Sequence, residues 1–541
     1  MAANERKKIL FVASECVPFI KTGGLADVVG SLPKDIDPEY YDVRVMIPKY
    51  SCMKQEVKDQ MEYVTHFYMD YHWKSEYVGV LKTVKNGITF YFIDNEGFFT
   101  SDKPYTDDPL FEITRFAYFS KACLSALPTI GFRPDLIHCH DWQTGLVPVY
   151  LKERFQANEF FHGIKTVMTI HNLKFQGKWN VKDVEDITGL SGYYFTPDKL
   201  EAYKDANLLK GGLVYADAIT TVSPTYAEEI RTGYYGERLD GLLRARHNVL
   251  SGILNGIDVI SFDPSTDIQI PYHYNAEDPS NKKLCKAALQ EELGLEKRDV
   301  PLIGLVSRLT SQKGLDLITC VLNDIMRMDV QMIIVGTGDA YFENAFRDAQ
   351  YRFPGRFVTC LRHDENMARK TYAACDMYLM PSQFEPCGLS QMIAMRYGTI
   401  PIVRETGGLR DSVLPYNWYT DDGNGFSFHD YNAHDMLHVM EQAVGYWYDQ
   451  KDMWARLVKR AMKTDFSWAV SARRYMELYR SVLGIPEPAP KPIRRRTAKP
   501  AEPKAEKPKA AAKPKTAEKP KAAEKPKTAT ARKPAAKKTK E

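Results

Sequence analysis

The segment VPLIGLVSRLTSQKG, residues 300–314, begins as an apolar, β-branched run and ends with two basic side chains. Such a run predicts a strand buried on both faces of a parallel sheet. Arg308 and Lys313 follow its carboxyl end, and we expect a helix from about Gly314. Ligands of open α/β sheets bind at that edge, where the positive end of a helix dipole adds to the two cations. The segment therefore predicts a diphosphate site in an α/β fold.

A second loop, residues 384–389, follows another apolar run further along the chain. We expect Glu385 to enter the next helix of the same sheet edge. Its carboxylate is suited to accept hydrogen bonds from a sugar or ribose hydroxyl. The two loops together predict a sugar-nucleotide site.

Short apolar runs alternate with amphipathic helical patterns through most of the chain. The predicted strands are 9–13, 43–47, 89–93, 136–139, 166–170, 218–222, 302–306, 332–335, 357–361, 377–380 and 400–403. Helices are expected between them, for example over 314–326 and 389–397, with a last helix over about 471–483. This alternation predicts parallel sheets with helices on both faces. We expect two doubly wound, Rossmann-like domains, 1–255 and 256–486, facing each other across a substrate cleft.

The end of the chain differs sharply in composition. Residues 487–541 hold 19 of the 73 basic and 6 of the 69 acidic residues, a net charge of +13, which leaves −9 for residues 1–486. They also hold 10 of the 31 prolines and no aromatic residue. Such a segment buries too little apolar surface to offset chain entropy, so we predict a disordered basic tail. It favours solubility, and nucleic acid is expected to bind it at most non-specifically.

The nine cysteines are odd in number and form no C-x-x-C pair, as expected of reduced thiols in a cytoplasmic protein. No apolar run approaches the roughly 20 residues of a membrane span. The chain is therefore expected to work without a membrane.

Near the N-terminus, the first predicted strand leads into Lys21-Thr22-Gly23-Gly24. Two glycines let backbone N–H groups approach a phosphate closely, and Lys21 adds a charge. The spacing is not that of a P-loop. An ordinary strand-to-helix turn with a solvated lysine remains the alternative.

Polar residues also end the strands near 139 and 170. Asp141 either faces a ligand or caps the next helix, and His171 either bonds a sugar hydroxyl or is a satisfied structural histidine. His138 and His140 alternate along one strand, but no third ligand has a recognisable zinc spacing. We therefore predict neither a metal nor a cofactor. Thr406-Gly407-Gly408, after the strand near 403, forms a second glycine nest suited to the diphosphate.

These motifs, taken together and in this order, resemble the bacterial glycogen synthase and plant starch synthase family over about residues 9–485. The matching stretches are Lys21-Thr22-Gly23-Gly24-Leu25, His140-Asp141-Trp142, His171-Asn172-Leu173, Leu209-Lys210-Gly211-Gly212, Thr221-Val222-Ser223-Pro224-Thr225-Tyr226, Gly252-Ile253-Leu254-Asn255-Gly256-Ile257-Asp258, Ser307-Arg308-Leu309, Gln312-Lys313-Gly314, the loop 384–389, Tyr397-Gly398-Thr399, Thr406-Gly407-Gly408-Leu409 and Phe466-Ser467-Trp468.

The resemblance implies a GT-B fold and transfer of glucose from ADP-glucose to the 4-hydroxyl at the non-reducing end of an α-1,4-glucan such as glycogen, with retention of configuration. It implies catalytic roles for Arg308, Lys313, Glu385, His171 and Asp141. Substrate contacts are implied for Lys21, Gly23, Gly24, Asn255, Gln312, Cys387 and Gly388. Asp141 and His171 would lie on the glucose side, and the two cations would stabilise the departing ADP.

One position leaves the donor open. His363 stands where the family often has an aromatic residue before an acidic pair, so UDP-glucose remains an alternative donor. A glucan-binding protein without catalysis and a nucleic-acid binder acting through the tail are the alternatives from other classes. Ile393, eight residues after Glu385, speaks against related transferases that carry a second glutamate there.

Overall fold

The computed structural model describes residues 6–486, and the predicted disordered tail, 487–541, lies outside them. The first half of the described chain contains twelve strands. They are β1 (Lys7–Val12), β2 (Tyr41–Pro48), β3 (Glu62–Tyr71), β4 (Lys74–Lys85), β5 (Ile88–Asp94), β6 (Leu136–His140), β7 (Lys165–Ile170), β8 (Lys178–Asn180), β9 (Glu201–Ala202), β10 (Asp205–Asn207), β11 (Ala218–Thr221) and β12 (Leu250–Gly252).

Nine of these strands form one sheet in the order β12-β11-β7-β6-β1-β2-β5-β4-β3. The first seven in that order run parallel, while β4 and β3 extend the sheet as an antiparallel hairpin. β8, β9 and β10 make a small separate antiparallel sheet. β6 is buried at every residue, as a central parallel strand with helices on both faces must be.

The second half contains a six-stranded parallel sheet in the order β15-β14-β13-β16-β17-β18. Its strands are β13 (Leu302–Val306), β14 (Gln331–Val335), β15 (Phe357–Cys360), β16 (Met377–Met380), β17 (Ile400–Arg404) and β18 (Phe426–Phe428). The strand order reverses next to β13, so residues 300–314 end at the topological switch point of this sheet. Ligands of open α/β sheets bind at such a point.

Helices cover the sheets. They are α1 (Gly24–Asp35), α2 (Gln55–Lys58), α3 (Glu96–Phe99), α4 (Pro109–Thr129), α5 (Leu146–Tyr150), α6 (Val181–Thr188), α7 (Leu208–Tyr215), α8 (Pro224–Glu229), α9 (Asp240–Ala245), α10 (Lys282–Glu292), α11 (Leu315–Cys320), α12 (Leu322–Arg327), α13 (Ala340–Arg352), α14 (Glu365–Ala374), α15 (Ser390–Arg396), α16 (Gly407–Ser412), α17 (Ala433–Asp449), α18 (Lys451–Lys463) and α19 (Trp468–Leu483). Among residues 6–486, no helix is both long and apolar enough to cross a membrane.

The predicted fold class is confirmed: two Rossmann-like α/β sheets make up a GT-B architecture. Each of the eleven predicted strands falls on an observed strand, with its ends within two residues. The hairpin β3–β4 was not predicted, because one of its faces meets solvent and its sequence is no continuous apolar run.

Two helix expectations are wrong. The helix expected over 314–326 is divided into α11 and α12 at Val321, whose φ of −112° leaves the helical region. Glu385 does not enter a helix, because α15 begins at Ser390 and leaves Glu385 in the preceding loop.

The chain passes between the halves twice, and the two passages lie side by side. The N–H of Ile257 donates to the carbonyl of Phe466, with 2.8 Å between N and O. α19 then packs on the first half, where the Tyr479 hydroxyl lies 2.8 Å from Nδ1 of His138. The last helix therefore contributes to the packing around β6.

A tight turn at Gly314 holds the loop that carries Lys313. Gly314 has a φ of +68°, and a Cβ there would lie 2.0 Å from the carbonyl oxygen of Pro381. We predict that Gly314→Ala lowers the free energy of unfolding by about 1–3 kcal/mol, measured by urea denaturation. Gly445→Ala is the matched control: it lies inside α17 with open space around it, and should stabilise by about 0.5–1 kcal/mol. Equal stability of Gly314→Ala and the unchanged protein would contradict the turn.

Candidate active site

A cavity of about 920 Å³ lies between the carboxyl edges of the two large sheets. Residues from both halves line it, as expected for a cleft that holds a substrate. The lining includes Lys21, Gly23, Gly24, Asp141, His171, Asn255, Arg308, Gln312, Lys313, Glu385, Cys387 and Gly388. The structure therefore brings twelve of the fifteen predicted site residues together.

The two cations at the second sheet's edge differ in their surroundings. Lys313 and Glu385 form a largely buried ion pair, with 2.6 Å between Nζ and Oε2, and the Ser382 hydroxyl donates to the same carboxylate oxygen at 3.2 Å. The Arg308 side chain is exposed and has no hydrogen-bond or ion-pair partner among residues 6–486. A guanidinium left free at a cavity wall offers five N–H donors to a phosphate.

Gln312, Asn255 and Cys387 line the cavity near these residues. Gln312 donates from Nε2 to the carbonyl of Phe384, 3.2 Å away, which ties the loops after β13 and β16 together. Oδ1 of Asn255 is enclosed and has no hydrogen-bond partner within the described chain. Burial raises the pKa of the Cys387 thiol to about 12, so this cysteine is a neutral thiol at neutral pH.

Asp141 adopts an unusual backbone conformation, with φ of 56° and ψ of −177°. Few residues other than glycine occupy this region, and such strain concentrates at functional sites. The carboxylate accepts a bond from the backbone N–H of His171, with 2.7 Å between Oδ1 and N, and caps no helix. Asp141 thus stands at the N-cap position of the 3₁₀ turn Trp142–Thr144, but its side chain makes no capping bond. Burial raises the pKa of Asp141 to about 7.

His138 and His140 on β6 are buried, and the partly buried His171, which follows β7, lies beside them. Nδ1 of His140 lies 2.9 Å from Nε2 of His171. His138 contacts Tyr479 through Nδ1 and Thr169 through Nε2, so His138 is a satisfied structural histidine. Within the described residues, no group of three or more His, Cys, Asp or Glu side chains is placed to hold a metal ion.

The glycine turn after β1 is held by a carboxylate that the sequence analysis missed. Glu15 is buried and accepts bonds from the backbone N–H and the hydroxyl of Thr22 and, at 3.2 Å, from the Tyr105 hydroxyl. Lys21 pairs with Asp27, with 2.8 Å between Nζ and Oδ1. Lys21 therefore reaches the cavity already paired, and Glu15 fixes the turn beside it.

The second glycine nest does not line the cavity, and its expected diphosphate role is wrong for this arrangement. The Gly407 N–H and the Thr406 hydroxyl both donate to Oε1 of Glu229, each at 3.0 Å. The Gly408 N–H donates to the carbonyls of Glu385 and Pro386. The protein's own oxygens occupy the nest: Thr406 and Gly407 bind Glu229, and Gly408 supports the Glu385 loop.

The raised pKa of Asp141 predicts a pH dependence of stability. Between its ordinary pKa of 3.8 and about 7, the folded state holds one more proton than the unfolded state, so stability falls as pH rises through this window. Asp141→Asn keeps an acceptor for the His171 N–H and loses the titration. We predict that urea unfolding at a series of pH values shows the variant gaining on the unchanged protein as pH rises, by at most about 1.4 kcal/mol per pH unit. Parallel pH profiles would contradict this.

Comparison with known proteins places the chain in a family. Two family models match it: "Starch synthase catalytic domain" over residues 8–245 and "Glycosyl transferases group 1" over residues 289–463. A glycogen synthase from Lachnospira eligens is 59% identical over 481 residues, which cover 88% of this chain and all of the relative. One from Lachnoclostridium phytofermentans is 56% identical over 479 residues, with the same shares covered.

Solved structures agree with the sequence comparison. The catalytic domain of starch synthase IV from Arabidopsis thaliana, bound to ADP and acarbose, superposes with a TM-score of 0.82 at 33% identity. The superposition covers 89% of this chain and 100% of that one. By identity, coverage and fold, the chain belongs to the glycogen synthase and starch synthase family of GT-B glycosyltransferases.

Proposed function

We propose that this protein transfers glucose from ADP-glucose to the 4-hydroxyl at the non-reducing end of an α-1,4-glucan and retains the α configuration. The observation that carries the proposal is the unpartnered Arg308 guanidinium beside the Lys313–Glu385 pair, at the sheet edge opposite Asp141 and His171. A related starch synthase with this fold binds ADP and acarbose, which supports a nucleotide and an α-glucan in the same cleft.

The diphosphate is assigned to the second half of the cavity. Arg308 lies at the carboxyl end of β13 and is free to form charge-assisted bonds with phosphate oxygens. Lys313 adds a second positive charge nearby, held in place by Glu385. Charge that develops on the departing diphosphate is stabilised there without reorganisation of the site.

The glucosyl unit is assigned to the space between the two walls. Glu385, Asn255 and Gly388 present hydrogen-bonding groups from one side, and Asp141 and His171 from the other. A transferring sugar with oxocarbenium character needs its hydroxyls held while the leaving group departs. This arrangement supplies both requirements with residues already in place.

The proposed transfer proceeds without a covalent intermediate. The bond between the anomeric carbon and the diphosphate oxygen breaks, and a bond forms from that carbon to the acceptor's 4-oxygen on the same face. The proton of the 4-hydroxyl passes to the departing diphosphate oxygen. Arg308, Lys313 and Glu385 are assigned to position the substrate and neutralise charge, and they exchange no proton.

The setting is a reducing compartment, which we propose to be the cytoplasm. All nine cysteines lie within residues 6–486 and are free thiols, and most are buried. A glucan-binding protein without catalysis is expected to lack one of the two cations or Glu385. Arg308, Lys313 and Glu385 are all present and line the cavity.

The experiment that tests the proposal is incorporation of labelled glucose into glycogen. The full chain is incubated with glycogen and either labelled ADP-glucose or labelled UDP-glucose, and the product is digested with an exo-acting enzyme specific for α-1,4 links. Label released from the ADP-glucose reaction supports the proposal. Preference for UDP-glucose would overturn the donor, and no incorporation from either donor would overturn the reaction.

Variants of the two cations separate catalysis from stability. Arg308→Ala removes no hydrogen bond or ion pair within the described chain, so we predict unchanged thermal stability and a fall in turnover of at least about a hundredfold. Lys313→Ala should lower turnover as much and also destabilise by about 3–5 kcal/mol, because Glu385 is left buried and unpaired.

Arg347→Ala, an exposed arginine on α13, is the matched control and should keep normal turnover. Turnover and melting temperature are measured on all three variants. Near-normal turnover of a folded Arg308→Ala variant would remove this residue from the proposed mechanism.

A further inference from the structure

Two histidine side chains, His140 and His171, are in contact at the wall of the cavity. His171 lines the cavity, and behind it Nδ1 of His140 lies 2.9 Å from its Nε2. The other ring nitrogen of His171, Nδ1, makes no hydrogen bond to any described residue, and the protein does not enclose it. His171 therefore turns one nitrogen to His140 and leaves the other accessible from the cavity side.

His140 is enclosed on all sides. Its ring stacks on Phe11, with 5.5 Å between centroids and 21° between planes, and lies 4.3 Å from the ring of His138. Its Nε2 is enclosed and has no hydrogen-bond partner within residues 6–486. Burial lowers the pKa of His140 well below its usual range and that of His171 to about 3. Both rings are therefore neutral at neutral pH, and each carries a single N–H.

Two arrangements of these protons give a hydrogen bond between the rings. If His171 donates from Nε2, then His140 carries its own proton on Nε2, where a buried N–H has no acceptor. If His140 donates from Nδ1, then its Nε2 keeps a bare lone pair. Buried N–H groups without an acceptor are rarer in proteins than acceptors that lack a donor. The second arrangement therefore has the lower cost.

We propose that His140 is a positioning residue that donates from Nδ1 to Nε2 of His171 and so fixes His171 with its proton on Nδ1, facing the cavity. The inference rests on the proposed function for the identity of the substrate, a glucosyl unit, but its proton arrangement does not depend on it. His140 acts through His171 and touches no substrate.

The arrangement assigns a hydrogen-bonding character to this wall of the cavity. His171 offers a donor, while the adjacent Asp141 carboxyl, bonded to the His171 backbone, offers oxygens. A sugar hydroxyl both donates and accepts, so it pairs with the two groups at once. A His171 that carries its proton on Nδ1 has no lone pair towards the substrate, so it holds a hydroxyl oxygen and does not take a proton from the acceptor.

Nitrogen NMR tests the proton arrangement directly. The full chain is labelled with ¹⁵N-histidine, and the His171 signals are identified by their loss in His171→Asn. The protonated and bare nitrogens of a neutral imidazole differ strongly in chemical shift, so the spectrum reports the tautomer without any substrate. We expect the proton on Nδ1 of His171. A proton on Nε2 of His171 in the unchanged protein overturns the proposal, even if the His140 variants fail to fold.

Variants add a functional readout. His140→Phe keeps a flat ring against Phe11 and removes the donor, so His171 should lose its single tautomer. The sugar hydroxyl is then held less accurately, and turnover should fall by about ten- to a hundredfold. The KM for ADP-glucose should change little, because the His171 donor is assigned to hold the hydroxyl more tightly in the transition state than in the ground state. His140→Asn places an amide N–H at the position of Nδ1 and should recover most of the turnover.

His138→Gln is the matched control, because His138 is equally buried but does not bond His171. It should leave the His171 tautomer unchanged. An unchanged tautomer and normal turnover in folded His140→Phe would overturn the inference. Absence of glucan synthesis by the unchanged protein would instead overturn the proposed function, while the tautomer measurement would still decide the role of His140.

Discussion

The ion pair between Lys313 and Glu385 is the contact on which the candidate site depends, because it joins the loops that follow two neighbouring strands. β13 and β16 pair in parallel, so their carboxyl ends emerge together at one edge. Loss of either partner would leave the other charge uncompensated in a largely buried place. The loops therefore hold one arrangement, and the residues assigned to the diphosphate and to the sugar position one another.

The first half of the molecule braces the same loops. The hydroxyl of Ser223, which caps α8, donates to the carbonyl of Pro386 at 2.7 Å. Thr225 on α8 donates from its N–H and its hydroxyl to the Asp411 carboxylate on α16, at 2.8 and 2.6 Å. Glu229 fills the nest at the start of α16. The contact between the two halves and the placement of the Glu385 loop therefore belong to one network of hydrogen bonds.

The sequence predicted the strands and the edge where ligands would gather, because continuous apolar runs mark buried parallel strands whose carboxyl ends share a side. It did not predict groups whose importance comes from partners far away in the chain. Nothing in the local sequence distinguishes Glu15 from other acidic residues. Its role comes from Thr22 and Tyr105, which the fold places around it. Thr406-Gly407-Gly408 has the composition of an anion nest, but the carboxylate that it binds belongs to Glu229 in the other half.

Burial gives the two walls of the cavity different electrostatic characters. On the first wall it holds His171 neutral and leaves Asp141 with a pKa near neutrality, while on the second wall Arg308 keeps an unpaired positive charge. A protonated, cationic His171 would repel a sugar that becomes positive. Asp141 instead responds to that charge, since a nearby positive charge lowers the pKa of a carboxyl and favours its ionised form. This division matches a reaction that separates a cationic sugar from an anionic leaving group.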